Sequence, residues 1–161
     1  VRQIMSVALG GIYVSTRNGI FHFDDGKWNE MSEDEGLTVS SVTRMVERPD
    51  GSILATHSDR RRGLGPVQKG IAAVSVQSPG GGSWKADPLS PGLEGLAVAS
   101  AAQDPSGGLW FGTRGDGIRV YTNGKWRSIT TDDGLPSNSI SVLAISERGE
   151  VWRGRTRASQ F

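Results

Sequence analysis

The side chains of this 161-residue chain suited to acid–base or electrophilic chemistry are two histidines, His22 and His57, a scatter of arginines, and the acid pairs Asp24-Asp25 and Asp132-Asp133. The histidines fall in different segments and lack the HExxH spacing that sets two ligands on one helix face around zinc. There is no cysteine, which removes disulfides, thiol catalysis and thiolate metal sites. No GxSxG nucleophile elbow occurs. Each acid pair is adjacent in sequence at a turn, so its carboxylates point apart rather than facing across a cleft as glycoside cleavage requires. Asp104-Pro105-Ser106-Gly107 lacks the alternating oxygen ligands of a calcium loop. No catalytic residue, metal ligand or cofactor is assigned.

The cations form a more coherent set. Arg17, His57 and Arg114 each follow a Thr, Arg60, Arg61 and Arg62 form a short run, and Arg155 closes the series. Brought to one face, they would make a collar for a carboxylate or phosphate, because guanidinium groups bind planar anions through paired hydrogen bonds. Whether they meet depends on the elements that carry them.

Those elements repeat. The segment 107–139, GGLWFGTRGDGIRVYTNGKWRSITTDDGLPSNS, is the cleanest copy of an internal unit. The aliphatic residue opening its first apolar run recurs as Ile12, Ile53, Leu109 and Val151, at spacings of 41, 56 and 42 residues. Trp28, Trp84 and Trp126 keep the 56 and 42 spacing, and so do Gly36-Leu37, Gly92-Leu93 and Gly134-Leu135. Three landmarks in one register mark a genuine repeat, in the period range of solenoids and propellers.

Within a unit, four short apolar runs alternate with Gly, Asn, Asp and Ser clusters, the pattern of strands joined by tight turns. Asp25-Gly26 and Asn123-Gly124 suit hairpins that need positive backbone angles. Each unit is read as a four-stranded antiparallel meander, and such units set radially make a propeller blade by blade. Both faces of Leu109–Thr113 carry apolar or small residues, as expected when neighbouring blades cover both sides. Ser15, Ala55, Gly112 and Gly154 are taken as matching small positions where sheets approach closely. The repeated tryptophans, with Trp110 and Trp152 inside strands, are read as core scaffold that caps blade edges or wedges between sheets rather than as sugar-stacking platforms.

The fold expected is all-β: a partial β-propeller of about 3.5 blades in a single domain spanning 1–161, with repeats at 4–41, 42–97, 98–139 and 140–161, the last incomplete. The second repeat departs from the pattern, with an inserted SDRRRGLGPVQKG before the next apolar run at Ile71 and a smaller SPGGGS at 78–83. Such a count does not close a ring, so the chain is expected to be a piece of a longer one, or to associate with copies of itself. In a meander, the turn between the second and third strands lies on the same side as the connection to the next blade. The cationic residues fall at that loop face.

Composition sets further bounds. The 23 glycines, well above the usual ~7% share, fit a chain dense in turns. A net charge of +1 gives no case for nucleic acid or an anionic membrane surface, and no apolar run long enough for membrane insertion is visible.

The segment from Gly107 through Ser146 resembles the two-component regulator propeller repeat. In that family a Gly-Leu-Pro-x-Asn-x-Ile/Val segment leads into a strand, and an acidic turn with Gly precedes Leu-Trp-Ile-Gly-Thr. Gly134, Leu135, Pro136, Asn138 and Ile140 match the first part, and Gly107, Leu109, Trp110, Gly112 and Thr113 the second. Gly10-Gly11-Ile12-Tyr13 stands in for the motif in the first repeat, and Ile53-Leu54-Ala55-Thr56 lacks its Trp and Gly. The resemblance implies a ligand-sensing module in the extracytoplasmic part of a hybrid two-component system, hence a periplasmic or extracellular location, in a family that often recognises polysaccharide breakdown products. It also implies further blades, a membrane helix and kinase modules in the whole protein.

The function expected is therefore non-catalytic binding of a polar, possibly anionic, saccharide or other small molecule on the loop face, through Arg17, His57, Arg60, Arg61, Arg62, Arg114 and Arg155. Two rivals stand beside it. A propeller lyase or glycoside-cleaving enzyme would use His57 as its base, and a protein-interaction scaffold would use the exposed blade edge and the RRR segment.

Overall fold

The computed structural model describes residues 1–8, 10–16, 19–31, 42–59, 71–77, 84–86, 89–93 and 95–154, and for 43, 57–59, 71–77, 86 and 90 only the backbone. Apart from two short 3-10 turns, the regular elements of the described residues are all strands. Residues 3–31 form the first antiparallel sheet, β1 (Gln3–Ser6), β2 (Ile12–Ser15), β3 (Ile20–Asp24) and β4 (Lys27–Met31). The second contains β5 (Val42–Glu47), β6 (Ile53–Asp59), β7 (Ile71–Gln77) and β8 (Trp84–Ala86). The third contains β9 (Val98–Gln103), β10 (Leu109–Thr113), β11 (Ile118–Thr122) and β12 (Lys125–Ile129). The last pairs β13 (Val142–Ile145) with β14 (Val151–Gly154). Strands neighbour one another in sequence order in every sheet, the expected meander. The rest of the incomplete last repeat, residues 155–161, lies outside the described ones.

The turns explain the glycine content. Between the first and second strands of every sheet, the N–H of one residue donates to the carbonyl four ahead, and the glycine three ahead donates back. The pairs are Val7 with Gly11 and Gly10, Arg48 with Ser52 and Gly51, Asp104 with Gly108 and Gly107, and Ser146 with Glu150 and Gly149. The returning glycine has φ of 100, 77, 88 and 80° in turn, a left-handed conformation that a side chain would strain. Between the third and fourth strands, Asp25-Gly26 and Asn123-Gly124 both take positive φ, as their composition leads one to expect.

The chain divides into two compact units, Val1–Gly95 and Leu96–Phe161. In the first, the face of sheet β1–β4 bearing Met5, Tyr13, Ile20 and Met31 packs against the face of sheet β5–β8 bearing Met45, Ile53, Ala55 and Trp84. In the second, Ala102, Trp110, Ile118, Val120 and Ile129 of sheet β9–β12 pack with Leu143 of β13 and with Ile140 and Leu135 of the connection. Each sheet thus has a leading face, carrying the position of Ile53, and a trailing face, carrying the position of Tyr13. In both units a trailing face meets the leading face of the next sheet.

Side-chain hydrogen bonds reinforce the first of these contacts. The Gln3 carboxamide acts as a strand segment, its Nε2 donating to the Met45 carbonyl at 2.9 Å and its Oε1 accepting from the Met45 N–H at 2.8 Å. Glu47 accepts from the Ala8 N–H through both carboxylate oxygens. Gln3 thereby satisfies the Met45 N–H and carbonyl on the free edge of β5.

Three expectations need correction. Strand pairing places Thr56, not Ala55, at the position of Ser15, Gly112 and Gly154, because β6 pairs with β5 as Thr56 opposite Arg44 and Ala55 opposite Met45. Thr56 fits this buried position by turning its hydroxyl onto the Arg44 carbonyl at 3.4 Å. The tryptophans are not uniformly core: Trp84 is buried and Trp110 and Trp126 are half-buried, but Trp28 and Trp152 are exposed. Trp28 lies on the leading face of the first sheet and Trp152 on the trailing face of the last, and among the described residues no other sheet of its own unit lies against either. Finally, His57 does not sit in a turn. Strand β6 stays paired through Asp59, with His57 opposite Ala73 and Asp59 opposite Ile71, so the insertion extends a hairpin.

Candidate functional site

The loop-face geometry is best defined in the second unit. Here the turn 113–117 between β10 and β11 and the connection 130–141 toward β13 lie together, joined by backbone bonds from Gly117 N to the Asn138 carbonyl at 2.9 Å and from Ile140 N to the Thr113 carbonyl at 2.7 Å. Arg114 forms an isolated antiparallel bridge with Ser139, and its N–H donates to the Ala97 carbonyl at 3.0 Å. The expected juxtaposition of these two loops is therefore present.

Each loop is held by its own side chains. The Thr113 hydroxyl donates to the Gly117 carbonyl and accepts from the Asp116 N–H, both at 2.9 Å, closing the turn beneath Arg114. Gly117 has φ of 74°, and a Cβ there would run into the Ile129 carbonyl. In the first unit Thr16 repeats the device, donating through its hydroxyl to the Gly19 carbonyl. In the second unit the Thr builds the turn that displays the residue after it, Arg114.

The connection is pinned by a capping box. A short 3-10 turn at Thr131–Asp133 is opened by Thr130, whose hydroxyl accepts from the Asp132 N–H, while Asp133 Oδ2 accepts from the Thr130 N–H at 2.9 Å. Asn138 then clasps the turn from the other side, its Oδ1 accepting from the Thr131 N–H at 2.8 Å. Asp133 and Asn138 are thus committed to the scaffold. The T-x-x-D spacing from Thr130 to Asp133 is the sequence signal for this clasp.

On this floor the Arg114 side chain is exposed, with Ser139 exposed beside it and Asp116 half-buried. A fixed backbone carrying an exposed guanidinium next to a hydroxyl can accept an anionic group and hydrogen-bond its neighbours. Of the other collar residues, Arg17, Arg60, Arg61, Arg62 and Arg155 lie outside the described residues. His57, described by its backbone alone, stands at the register position of Thr113 rather than of Arg114, because His57 opposes Val42 as Thr113 opposes Val98. His57 is therefore one residue out of register with Arg114.

The opposite turn carries a different acid. Asp104 Oδ1 accepts from the Ser106 N–H and hydroxyl and the Gly108 N–H, and Oδ2 accepts from Trp110 Nε1 at 2.8 Å. Burial opposes its ionisation, but these donors outweigh it and hold the carboxyl below the ordinary aspartate value of 3.8. Asp50 is lowered too, chiefly by the Ser52 hydroxyl. Both are turn-building acids. Among the described residues no cluster of three His, Asp or Glu side chains is placed to hold a metal ion, and no helix is long and apolar enough to cross a membrane.

No family model and no curated protein matches the chain. Solved structures do. The chain is similar to the extracellular domain of the one-component system protein BT4673 from B. thetaiotaomicron, with a TM-score of 0.68 and 21% identity over 95% of this chain and 20% of that one. A second structure of that domain, described as part of a hybrid two-component system, matches with a TM-score of 0.66 and 20% identity over the same shares. The chain spans about a fifth of the length of these chains. The fold implied by the resemblance to the two-component regulator propeller repeat is the fold observed: an all-β, partial β-propeller of repeated antiparallel sheets, shared with the BT4673 extracellular domain.

Proposed function

We propose that the chain is a ligand-sensing segment of a periplasmic or extracellular two-component sensor, and that its loop face binds a polar, anionic saccharide without chemically changing it. The observation that carries this reading is the fold likeness to the BT4673 extracellular domain along 95% of the chain. The choice of an anionic ligand rests on Arg114, exposed beside Ser139 on a turn whose backbone is held at both ends. A non-catalytic role is supported by the local assignments: Asp104, Asp50 and Asp133 are occupied in turns and caps, and His57 belongs to a paired strand.

The test is titration calorimetry with oligosaccharides of uronic acids against neutral oligosaccharides of equal length, with product analysis of the same mixtures by chromatography. Binding of the acidic series alone, weakened about tenfold to a hundredfold in Arg114→Ala as expected for one lost charged hydrogen-bonding partner, with no shortened or unsaturated products, supports the reading. Equal affinity for both series, or appearance of products, overturns it.

A further inference from the structure

The turn acids of this chain differ in what their carboxylates do. Those of Asp50, Asp104 and Asp133 accept N–H or hydroxyl donors from their own turns. Asp24, Asp25 and Asp132 are exposed to solvent. Asp116 belongs to neither group. It is half-buried, it joins its turn only through its N–H, which donates to the Thr113 hydroxyl, and among the described residues its carboxylate takes no donor. Partial burial without donors weakens the solvation of a charge, and a ligand that supplies donors restores it.

Arg114 stands two residues earlier in a matching state. Its N–H donates to the Ala97 carbonyl, but its side chain is exposed and has no partner among the described residues. The two Cα atoms are no more than about 7 Å apart. Opposite charges so placed are within reach of one another, yet no ion pair forms between them. The backbone beneath is fixed at both ends, by the Arg114 bridge to Ser139 and by the Gly117 N–H donating to the Asn138 carbonyl. A Cβ on Gly115, between the two, would meet no atom within 4 Å, so the turn is open at this point. The turn therefore offers a cation and an anion side by side, neither of them used by the scaffold.

We propose that Asp116 is the specificity-determining residue of this loop face, its carboxylate accepting from two neighbouring hydroxyl groups of the same sugar acid whose own carboxylate pairs with Arg114. The inference rests on the anionic-saccharide reading above and narrows it to sugar acids with free adjacent hydroxyls. A carboxylate has two acceptor oxygens and matches two adjacent O–H donors, whereas it repels a ligand that carries negative charge alone. Sulfate, phosphate and sugar acids with blocked hydroxyls are disfavoured in this way, although Arg114 by itself would take them.

The experiment is titration calorimetry of the chain with a uronic acid oligosaccharide and with the same oligosaccharide methylated at every hydroxyl, on wild type, Asp116→Asn and Arg114→Ala. Asn keeps the size of Asp and removes its charge. The wild-type chain is expected to bind the free-hydroxyl form at least about tenfold more tightly than the methylated form. In Asp116→Asn the free-hydroxyl form is expected to weaken about tenfold and the methylated form to tighten, opposite changes that a damaged turn would not produce. Arg114→Ala is expected to weaken both forms. Equal wild-type affinity for the two forms, or an Asp116→Asn variant that keeps the wild-type preference or loses both forms alike, overturns the role of Asp116 and leaves the anionic-saccharide reading standing. A wild-type chain that binds neither form overturns that reading, and this inference with it.

Discussion

At the scale of single residues, Asp104 shows how a polar side chain secures a turn. Its carboxylate accepts from Ser106, Gly108 and Trp110, tying the loop to the strand that follows. Asp104→Ala removes all of these acceptors, and the Trp110 indole N–H loses its partner. The expected cost at neutral pH is about 1–3 kcal/mol, measured by urea denaturation. Because the folded-state pKa is lowered, ionised Asp104 stabilises the fold above its unfolded-state value near 3.8, and that contribution disappears as the pH falls through the lower folded-state value. The gap between wild type and Asp104→Ala is therefore expected to shrink below about pH 4. A gap that is constant from pH 7 to pH 3 would show that the hydrogen bonds do not depend on the charge.

At the scale of the elements, the close approach of sheets decides which positions tolerate change. A Cβ on Gly112 would run into the Ser100 hydroxyl and lie 2.7 Å from Ile140 Cγ2. Gly112→Ala is expected to cost about 1–3 kcal/mol by overpacking. The Ser100 hydroxyl is itself buried without a hydrogen-bond partner, so Ser100→Gly should restore much of the loss when combined with Gly112→Ala. Purely additive costs in the double variant would contradict the geometry. The tryptophan positions separate in the same way: Trp84→Ala should cost about 3–5 kcal/mol, and Trp28→Ala about 1 kcal/mol or less, although both occupy one repeat position. Equal losses in urea denaturation would refute the facing-sheet explanation.

These contrasts also show how far the amino-acid pattern reached. The strands, their order and the Asp-Gly and Asn-Gly hairpins were legible because they follow from local alternation and backbone preference. Burial of Trp28 and Trp152 was not, because equivalent residues in a repeat share a position in the blade but not the neighbour that covers it. The register of His57 is not legible in the sequence, because the strings ILAT and LWFGT look equivalent while β6 stays paired with β7 through Asp59, three residues beyond Thr56. At the candidate site, Arg114 was visible as a cation after Thr. The clasp formed by Thr130, Asp133 and Asn138 is less legible, because an acid at a turn carries the same local signature whether it caps the backbone or faces a ligand.

At the scale of the whole molecule, the division into Val1–Gly95 and Leu96–Phe161 makes a claim about cooperativity. Repeat arrays gain stability within each repeat and from contacts with nearest neighbours, so a loss in one place need not spread evenly. Each unit here has its own buried cluster, Tyr13, Ile20, Val42 and Met45 among others in the first, and Ile118, Val120, Ile140 and Leu143 in the second. Ile140→Ala removes a buried side chain from the second cluster alone, with an expected cost of about 2–5 kcal/mol there. Native-state hydrogen exchange should then show faster exchange along β9 to β14, while amides of β2, β3 and β6 keep their wild-type protection to within about 0.5 kcal/mol, the usual additivity limit for separated sites. An equal fall in both halves would mean that the two clusters open together, so that the units unfold as one cooperative body and the local contacts that separate them do not set the unfolding unit.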